Sequence, residues 1–155
     1  MNIVPFKPTD IDAVFEIQRA AYEPLYETYR DDLSNPYMES KETVLEKYTR
    51  ANTVGYLFVK DGVTVGCVRI ILNSLDNSGR VSALAVHPQY QGQGIAQTAL
   101  LEIERIHDCV QKWHLDTILQ ETGNCHLYEK LGYRKIGLEK PINGLMTLVS
   151  YEKLK

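Results

Sequence analysis

The chain has 155 residues and a formal net charge of −3, with 44% hydrophobic and 24% charged side chains. These values are typical of one folded domain of ordinary size and exclude a disordered, collagen-like or fibrous protein. Lysines and arginines are scattered from Lys7 to Lys155, so no basic patch of the kind that binds nucleic acid is present. We therefore predict a single domain over residues 1–155 with one dominant site.

Apolar runs and cysteines indicate the compartment. The longest apolar runs, "VRIIL" and "ALAV", are too short to cross a bilayer, and residues 1–10 lack the features of a signal peptide. Cys67, Cys109 and Cys125 form no CxxC pair, which is typical of a reducing compartment, and we interpret them as small packing residues. We expect a cytoplasmic protein with no membrane partner.

The first third of the chain predicts a strand and two helices. "MNIVPF" is typical of a strand, and "PTDIDAVFEIQRAAYEPL" predicts a helix capped by Thr9 or Asp10 that stops near Pro24. Residues 26–37 are aromatic, acidic and irregular. A second helix is predicted across "ESKETVLEKYTR", where the apolar side chains share one face.

The remainder predicts a hairpin, two further helices and four further strands. "YLFVK" and "VTVGCVRIIL" are joined by Asp61 and Gly62, a dipeptide that favours a tight hairpin turn. "RVSALAV" predicts the next strand, and a helix follows Gly94 to about Trp113. "LDTILQ" predicts a strand, "NCHLYEKLG" a helix ending at Gly132, and "YRKIGL" and "LMTLVSYEKL" strands. The predicted order is β α α β β β α β α β β.

The stretch "QGQGIAQ", residues 91–97, joins the strand "ALAV" to an amphipathic helix. As a bare pattern it also fits a flexible turn, but unpaired N–H groups and the helix dipole at such a junction favour an anion. The dinucleotide fingerprint fails because Gln97 stands where its third glycine would be, and the nucleoside-triphosphate loop fails because Ile95 follows Gly94. A phosphate cradle for another ligand is predicted.

Two motifs resemble the GNAT superfamily of acyl-coenzyme A-dependent N-acyltransferases. Gln91, Gly94 and Ala96 match its signature Gln/Arg-x-x-Gly-x-Gly/Ala, and "ETGNCHLYEKLGYRKIG", with Asn124 and Tyr128, is similar to its later motif. The resemblance covers residues 3–154. It implies an α/β (α+β) fold with a mixed, mostly antiparallel sheet of about six to seven strands and about four flanking helices.

The resemblance also implies how acetyl-CoA, the acyl donor, would bind, with no metal. The backbone amides of one loop would hold the pyrophosphate: Gln91, Gly92, Gln93, Gly94, Ile95, Ala96 and Gln97. The main chain of Leu84, Ala85 and Val86 would pair with the pantetheine arm like an added strand. Asn124 would bond the pantetheine amides or cap the helix it begins.

Tyr128 is the candidate general acid. A phenol with a reference pKa near 10 stays protonated at neutral pH and can protonate a departing thiolate, although a core tyrosine with a wet hydroxyl is the alternative. Many family members place a basic carboxylate on the central strand, but residues 82–85 offer none. Glu121 is the first candidate for the general base, and His126 is a weaker one. Loss of the amine proton to bulk water would require neither residue.

The acceptor pocket is expected among tyrosines and carboxylates that suit an ammonium ion, namely Tyr22, Tyr26, Tyr29, Asp31, Asp32 and Tyr37. A solvated acidic loop with aromatic anchors explains them equally well. We predict an N-acetyltransferase acting on a primary amine of a small molecule, amino acid or protein, the alternative being a non-catalytic acyl-CoA-binding or sensing module. "LMTLVSYEKL" could pair in a homodimer.

Overall fold

The computed structural model describes every residue from Met1 to Lys155. The chain folds into one sheet with helices on both faces. The strands are β1 (Asn2–Pro5), β2 (Thr53–Lys60), β3 (Val63–Asn73), β4 (Ser78–Val86), β5 (Lys112–Ile118), β6 (Arg134–Asn143) and β7 (Met146–Leu154). The helices are α1 (Ile11–Tyr29), α2 (Lys41–Tyr48), α3 (Ile95–Ile106) and α4 (Thr122–Lys130). The predicted order of elements and the mixed, mostly antiparallel sheet are confirmed.

The sheet opens between its two central strands. Its order is β1-β2-β3-β4-β5-β7-β6, and every neighbouring pair is antiparallel except β4 and β5. Those two strands pair only where Ser78–Arg80 meets Lys112–His114, whereas β5 pairs with β7 over all seven of its residues. A gap therefore lies between the second half of β4 and β5.

A β-bulge in β4 accounts for this gap. The pairing with β3 shifts from Arg69 opposite Ser82 to Cys67 opposite Ala85, so that Ala83 and Leu84 together face Val68. Ala83 has a positive φ of 50°. Since a bulge bends its strand and increases the local twist, the end of β4 turns away from β5.

Two hydrophobic cores lie on opposite faces of the sheet. The larger core lies under α3 and α4 and includes Phe58, Val68 and Trp113, while the smaller one, with Val14 and Cys67, lies under α1 and α2. Alternation along each strand sends neighbouring side chains to opposite faces. The gap between β4 and β5 is therefore the place where groups from both layers can meet. None of the helices is long and apolar enough to cross a bilayer.

The predicted end of the first helix near Pro24 is wrong, because α1 continues to Tyr29. Proline removes one helical N–H and usually ends or kinks a helix. Here the next turn is secured by its contacts, since Thr28 Oγ1 donates to the Pro24 carbonyl at 2.9 Å and Tyr29 is buried. The helix ends at Arg30, whose φ is 52°.

The predicted end of the third helix near Trp113 is also wrong. Helix α3 ends at Ile106, and Trp113 belongs to β5. Trp113 and Leu115 are buried on either side of the half-exposed His114, which is the period of a strand. Val110 is buried in the connection between the two elements. The apolar spacing that predicts a longer helix therefore marks buried residues and not a continuation of the helix.

Gly66 on β3 should be intolerant of a side chain, because a Cβ there would lie 2.7 Å from the backbone oxygen of Ala85 and 2.4 Å from the Phe58 ring. We expect Gly66→Ala to lower the free energy of unfolding by about 1–3 kcal/mol in urea denaturation, as overpacking does. Gly123→Ala is the control, since that helical position is open and alanine favours a helix by up to about 1 kcal/mol. Equal stability of Gly66→Ala and the wild type would contradict the close packing of β3 on β4.

Candidate active site

The last residues of β4 present backbone groups to the gap. The Leu84 carbonyl accepts a hydrogen bond from Tyr22 Oη at 2.7 Å, and the Val86 carbonyl accepts one from Gln91 Nε2 at 2.9 Å. His87 N–H bonds to Val65 on β3, so alternation directs the N–H groups of Leu84 and Val86 away from β3. The gap thus contains strand N–H donors that an extended ligand can pair with.

Ala85 differs from its two neighbours. It lies opposite Cys67, where alternation directs its N–H and C=O into the ladder with β3. Its side chain is 3% exposed and packs in the core under α1. Of the predicted strand residues, Leu84 and Val86 therefore offer main-chain groups to the gap, and Ala85 holds β4 on β3.

The glycine loop lies where α3 begins. Gly92 and Gly94 have φ values of 78° and 76°, and the space that a Cβ would occupy is open at both. Gly94 is the N-cap without a side-chain cap, and the first helical hydrogen bond runs from Thr98 N–H to the Gly94 carbonyl. The N–H groups of residues 95–97 consequently have no partner within the helix.

Charge at this loop is suited to phosphate. The loop carries no acidic residue, and Lys60 Nζ lies 2.9 Å from Gln93 Oε1. The helix dipole adds positive potential at the same point. Open glycine positions, free N–H groups and a neighbouring ammonium together fit a pyrophosphate.

Asn124 lies on the other side of the gap, in the helix that follows β5. It is the third residue of α4 and is exposed, whereas Glu121 occupies the N-cap position. The suggestion that Asn124 caps the helix is therefore wrong. Contact between its amide and a ligand remains a prediction.

Tyr128 is the buried tyrosine of α4 and is 8% exposed. Its ring lies 6.0 Å from that of Tyr133 and 6.2 Å from that of Tyr151. Those two hydroxyls donate to carboxylates, Tyr133 to Glu104 at 3.2 Å and Tyr151 to Glu129 at 2.6 Å. The Tyr128 hydroxyl has no such partner and is not sealed from solvent.

Burial decides the protonation of the tyrosines around the gap. It raises the pKa of Tyr128 to about 12, with the nearby Cys125 thiol adding to the effect. Burial also raises the pKa of Tyr22, and Tyr128 is the next largest cause. Tyr22 from α1 and Tyr128 from α4 are therefore both neutral at pH 7.

The two base candidates occupy different environments. Glu121 Oε2 accepts a hydrogen bond from Tyr29 Oη at 2.5 Å, which together with burial raises the pKa of Tyr29 to about 12. His126 is exposed on α4. Glu121 is therefore a positioned carboxylate with one oxygen already bonded, and His126 is a surface residue.

The acceptor residues predicted from sequence have different partners in the structure. Asp31 is 2% exposed and accepts hydrogen bonds from the backbone of Leu33 and Ser34, so it shapes its own loop. Tyr26 donates to Asp32 at 2.6 Å, and this exposed pair lies beside the Tyr37 ring. Tyr22 contacts the strand at the gap, and Tyr29 holds Glu121.

Arg69 is a buried residue that the sequence reading missed. It lies on β3, is 7% exposed and donates from Nη2 to Ser82 Oγ at 3.2 Å. The sequence reading treated "VRIIL" as an apolar run. A charged residue inside a strand that is otherwise apolar was the available signal.

The chain belongs to the acetyltransferase (GNAT) family, whose model matches residues 13–133. It is 29% identical over 119 residues to the uncharacterized protein YrkN of Bacillus subtilis, a match that covers 76% of this chain and 64% of that protein. The chain therefore spans less than two thirds of this relative's length.

Solved structures share the fold over nearly the whole chain. The spermidine N-acetyltransferase of Vibrio cholerae, in complex with CoA and spermine, superposes with a TM-score of 0.79 at 18% identity, covering 99% of this chain and 94% of that one. The ribosomal-protein-S18-alanine N-acetyltransferase of Escherichia coli gives 0.78 at 16% identity, covering 99% and 92%. The PaiA N-acetyltransferase of Thermoplasma acidophilum, in complex with coenzyme A, gives 0.75 at 21% identity over the full length of both chains.

The raised pKa of Tyr128 predicts a loss of stability in alkali. Its folded-state pKa of about 12 exceeds the unfolded value of 10.0, so its contribution is complete below pH 10 and is lost as pH rises towards 12. Between pH 9 and 11, we expect Tyr128→Phe to lose about 1 kcal/mol less free energy of unfolding than the wild type. Urea denaturation at each pH measures this, with Tyr90→Phe as the control at a less buried ring. Parallel pH profiles for wild type and Tyr128→Phe would contradict it.

Proposed function

We propose that the protein is an N-acetyltransferase that transfers the acetyl group of acetyl-CoA directly to a primary amine. The observation that carries the proposal is the gap between β4 and β5, which runs from the unpaired strand N–H groups to the uncapped start of α3. Family membership supports it, since the residues that the family model matches, 13–133, include this gap and loop. The acceptor is an amine of a small molecule, an amino acid or a protein.

Coenzyme A fits the two halves of this site. The N–H groups of Leu84 and Val86 would pair with the pantetheine arm, and Asn124 would bond it from the side of β5. The loop of residues 91–97 would hold the pyrophosphate, with Lys60 beside it. Bound acetyl-CoA supplies the thioester that is the source of the acetyl group.

Tyr128 holds the proton that the reaction needs. As the amine nitrogen bonds to the acyl carbon and the carbon–sulfur bond breaks, Oη would give its proton to the sulfur. The reference pKa values of phenol and thiol differ by about 1.5 units, or about 2 kcal/mol against the transfer. Burial raises the pKa of Tyr128, and it would also raise that of a thiol bound beside it, so the difference would stay small.

The amine must be neutral when it attacks. Its nitrogen becomes positively charged as the bond to the acyl carbon forms, and it then loses one proton. Water can take that proton, and Glu121 would help through the oxygen that Tyr29 does not bond. The proton given by Tyr128 is restored from solvent, so the products are an amide and a free thiol. No covalent intermediate on the protein is needed.

Gly94 provides a direct test of the phosphate cradle. We expect Gly94→Val to weaken acetyl-CoA binding at least about tenfold, because the branched side chain would fill the space beside the loop amides. Gly62→Val is a matched control, since Gly62 has the same φ of 76°, equally open surroundings and a place in the β2–β3 turn. Calorimetric titration with acetyl-CoA measures both. Equal affinity of the two variants would contradict the assignment of the cradle.

Tyr128 provides the test of the chemistry. We expect Tyr128→Phe to lower kcat about 100-fold or more while the Kd for acetyl-CoA changes less than about threefold, because only proton donation is lost. Release of free thiol across a panel of amines, amino acids and peptides measures kcat. Tyr133→Phe is the control, since it removes a neighbouring hydroxyl that is bonded to Glu104.

Two outcomes would overturn these assignments. Full activity of Tyr128→Phe would remove it as the acid. Acetyl-CoA at about 100 times its Kd should stabilise the protein by roughly 2.7 kcal/mol, so binding without turnover of any acceptor would favour the sensing module instead.

A further inference from the structure

Arg69 is a buried cation that the protein leaves largely unpaired. Its guanidinium forms no ion pair, and its one hydrogen bond is to the Ser82 hydroxyl. The donors at Nε and Nη1 have no protein partner, yet they are not sealed from solvent. A guanidinium has five N–H donors, so most of those on Arg69 remain free for water or a ligand, and the guanidinium also lies 5.9 Å from the centre of the Tyr48 ring.

The surroundings of Arg69 do not neutralise it. Burial lowers its pKa, and the neighbouring groups that oppose this are Tyr48, Glu39 and Tyr22. Both tyrosines are neutral because burial raises their pKa. Glu39 is already paired with Lys47 at 2.8 Å. A net positive charge therefore remains on the face of the sheet under α1 and α2.

Arg69 also lies close to the reacting end of the gap. Ser82, which it bonds, is separated from Leu84 by one bulged residue, a distance of roughly 7 Å along the strand. Tyr22 connects the two places, because its hydroxyl bonds Leu84 and its pKa responds to both Tyr128 and Arg69. The guanidinium therefore lies under α1 and α2, on the face of the sheet opposite the core that contains Tyr128.

We propose that Arg69 binds a carboxylate of the acceptor, so that the acceptor is an α-amino acid whose amine points to the gap between β4 and β5. This inference rests on the proposed function and names its substrate class. A planar guanidinium donates two parallel hydrogen bonds to a carboxylate, which fixes the orientation of the acceptor as well as its charge. The same cation disfavours polyamines, since they would bring further positive charge to it.

Matched acceptors test the proposal. Each L-α-amino acid of a panel is compared with its α-amide and with the amine that lacks the carboxylate, and kcat/KM is measured from thiol release. The acid should exceed the other two by roughly 10- to 100-fold, the usual effect of hydrogen bonds to a charged group. Arg69→Gln should remove that advantage and leave the amide and the simple amine within about twofold of the wild type.

Controls separate recognition from folding. Arg50→Gln, at an exposed arginine that pairs with Glu46, should change none of the ratios. Arg69→Lys keeps the charge but loses the planar fork, so it should retain only part of the preference, and melting curves report whether either variant folds. Dipeptides form a further arm, in which equal use of dipeptides and free amino acids would show that a peptide carboxylate is the ligand instead.

The proposed function and this inference fail in different ways. If amines are acetylated but the wild type has no preference for the acid, or Arg69→Gln slows all acceptors equally, Arg69 does not bind a carboxylate. If no amine is acetylated, the proposed function fails, and melting shifts with amino acids in the presence of CoA decide about Arg69. A shift that requires the carboxylate and is lost in Arg69→Gln supports the proposal, and no shift overturns it.

Discussion

The separation of β4 from β5 is the constraint on which the rest of the structure depends. Two parallel strands that have begun to pair would ordinarily continue, since unpaired backbone groups are costly when buried. Here the bulge at Ala83 bends β4 away after three residue pairs, while β7 takes up the whole length of β5. The protein satisfies the exposed carbonyls of Leu84 and Val86 with side chains and leaves the matching N–H groups for a ligand.

The tyrosines around the gap have the same chemical group but different partners. Tyr29, Tyr133 and Tyr151 each donate to a glutamate, and Tyr22 donates to a backbone carbonyl. These four hydroxyls are already used in hydrogen bonds within the protein. Tyr128 is equally desolvated, yet its hydroxyl is uncommitted, so it combines a proton that is held at pH 7 with a free direction in which to donate it.

Features that depend on adjacent residues could be predicted from the sequence. The hairpin at Asp61 and Gly62, the alternation within the strands and the glycine loop before α3 are local, and the structure confirms the element order that they predict. The ends of α1 and α3 could not be predicted in this way. Pro24 is tolerated because Tyr29 is anchored from other elements, and Trp113 is buried by strands that lie far away in the sequence.

The candidate site shows the same division between local and distant determinants. The loop of residues 91–97 and Tyr128 lie in short motifs, whereas Arg69 acquires its meaning only when β3, α1 and α2 come together. The sequence predicts carboxylates in the acidic loop that bind an ammonium, but Asp31 accepts hydrogen bonds from the backbone of its own turn. What the fold places beside the gap is an unpaired cation.

The bulge at Ala83 connects the two halves of the proposed reaction. It frees the backbone of Leu84 and Val86 from β5, and it lies directly after Ser82, the residue opposite Arg69. A regular strand would continue to pair with β5 and close the gap, and each side chain after Ser82 would move to the opposite face of the sheet. The two halves of the proposed site therefore adjoin one irregularity in β4, which is how a small domain would bring two substrates together without a covalent intermediate.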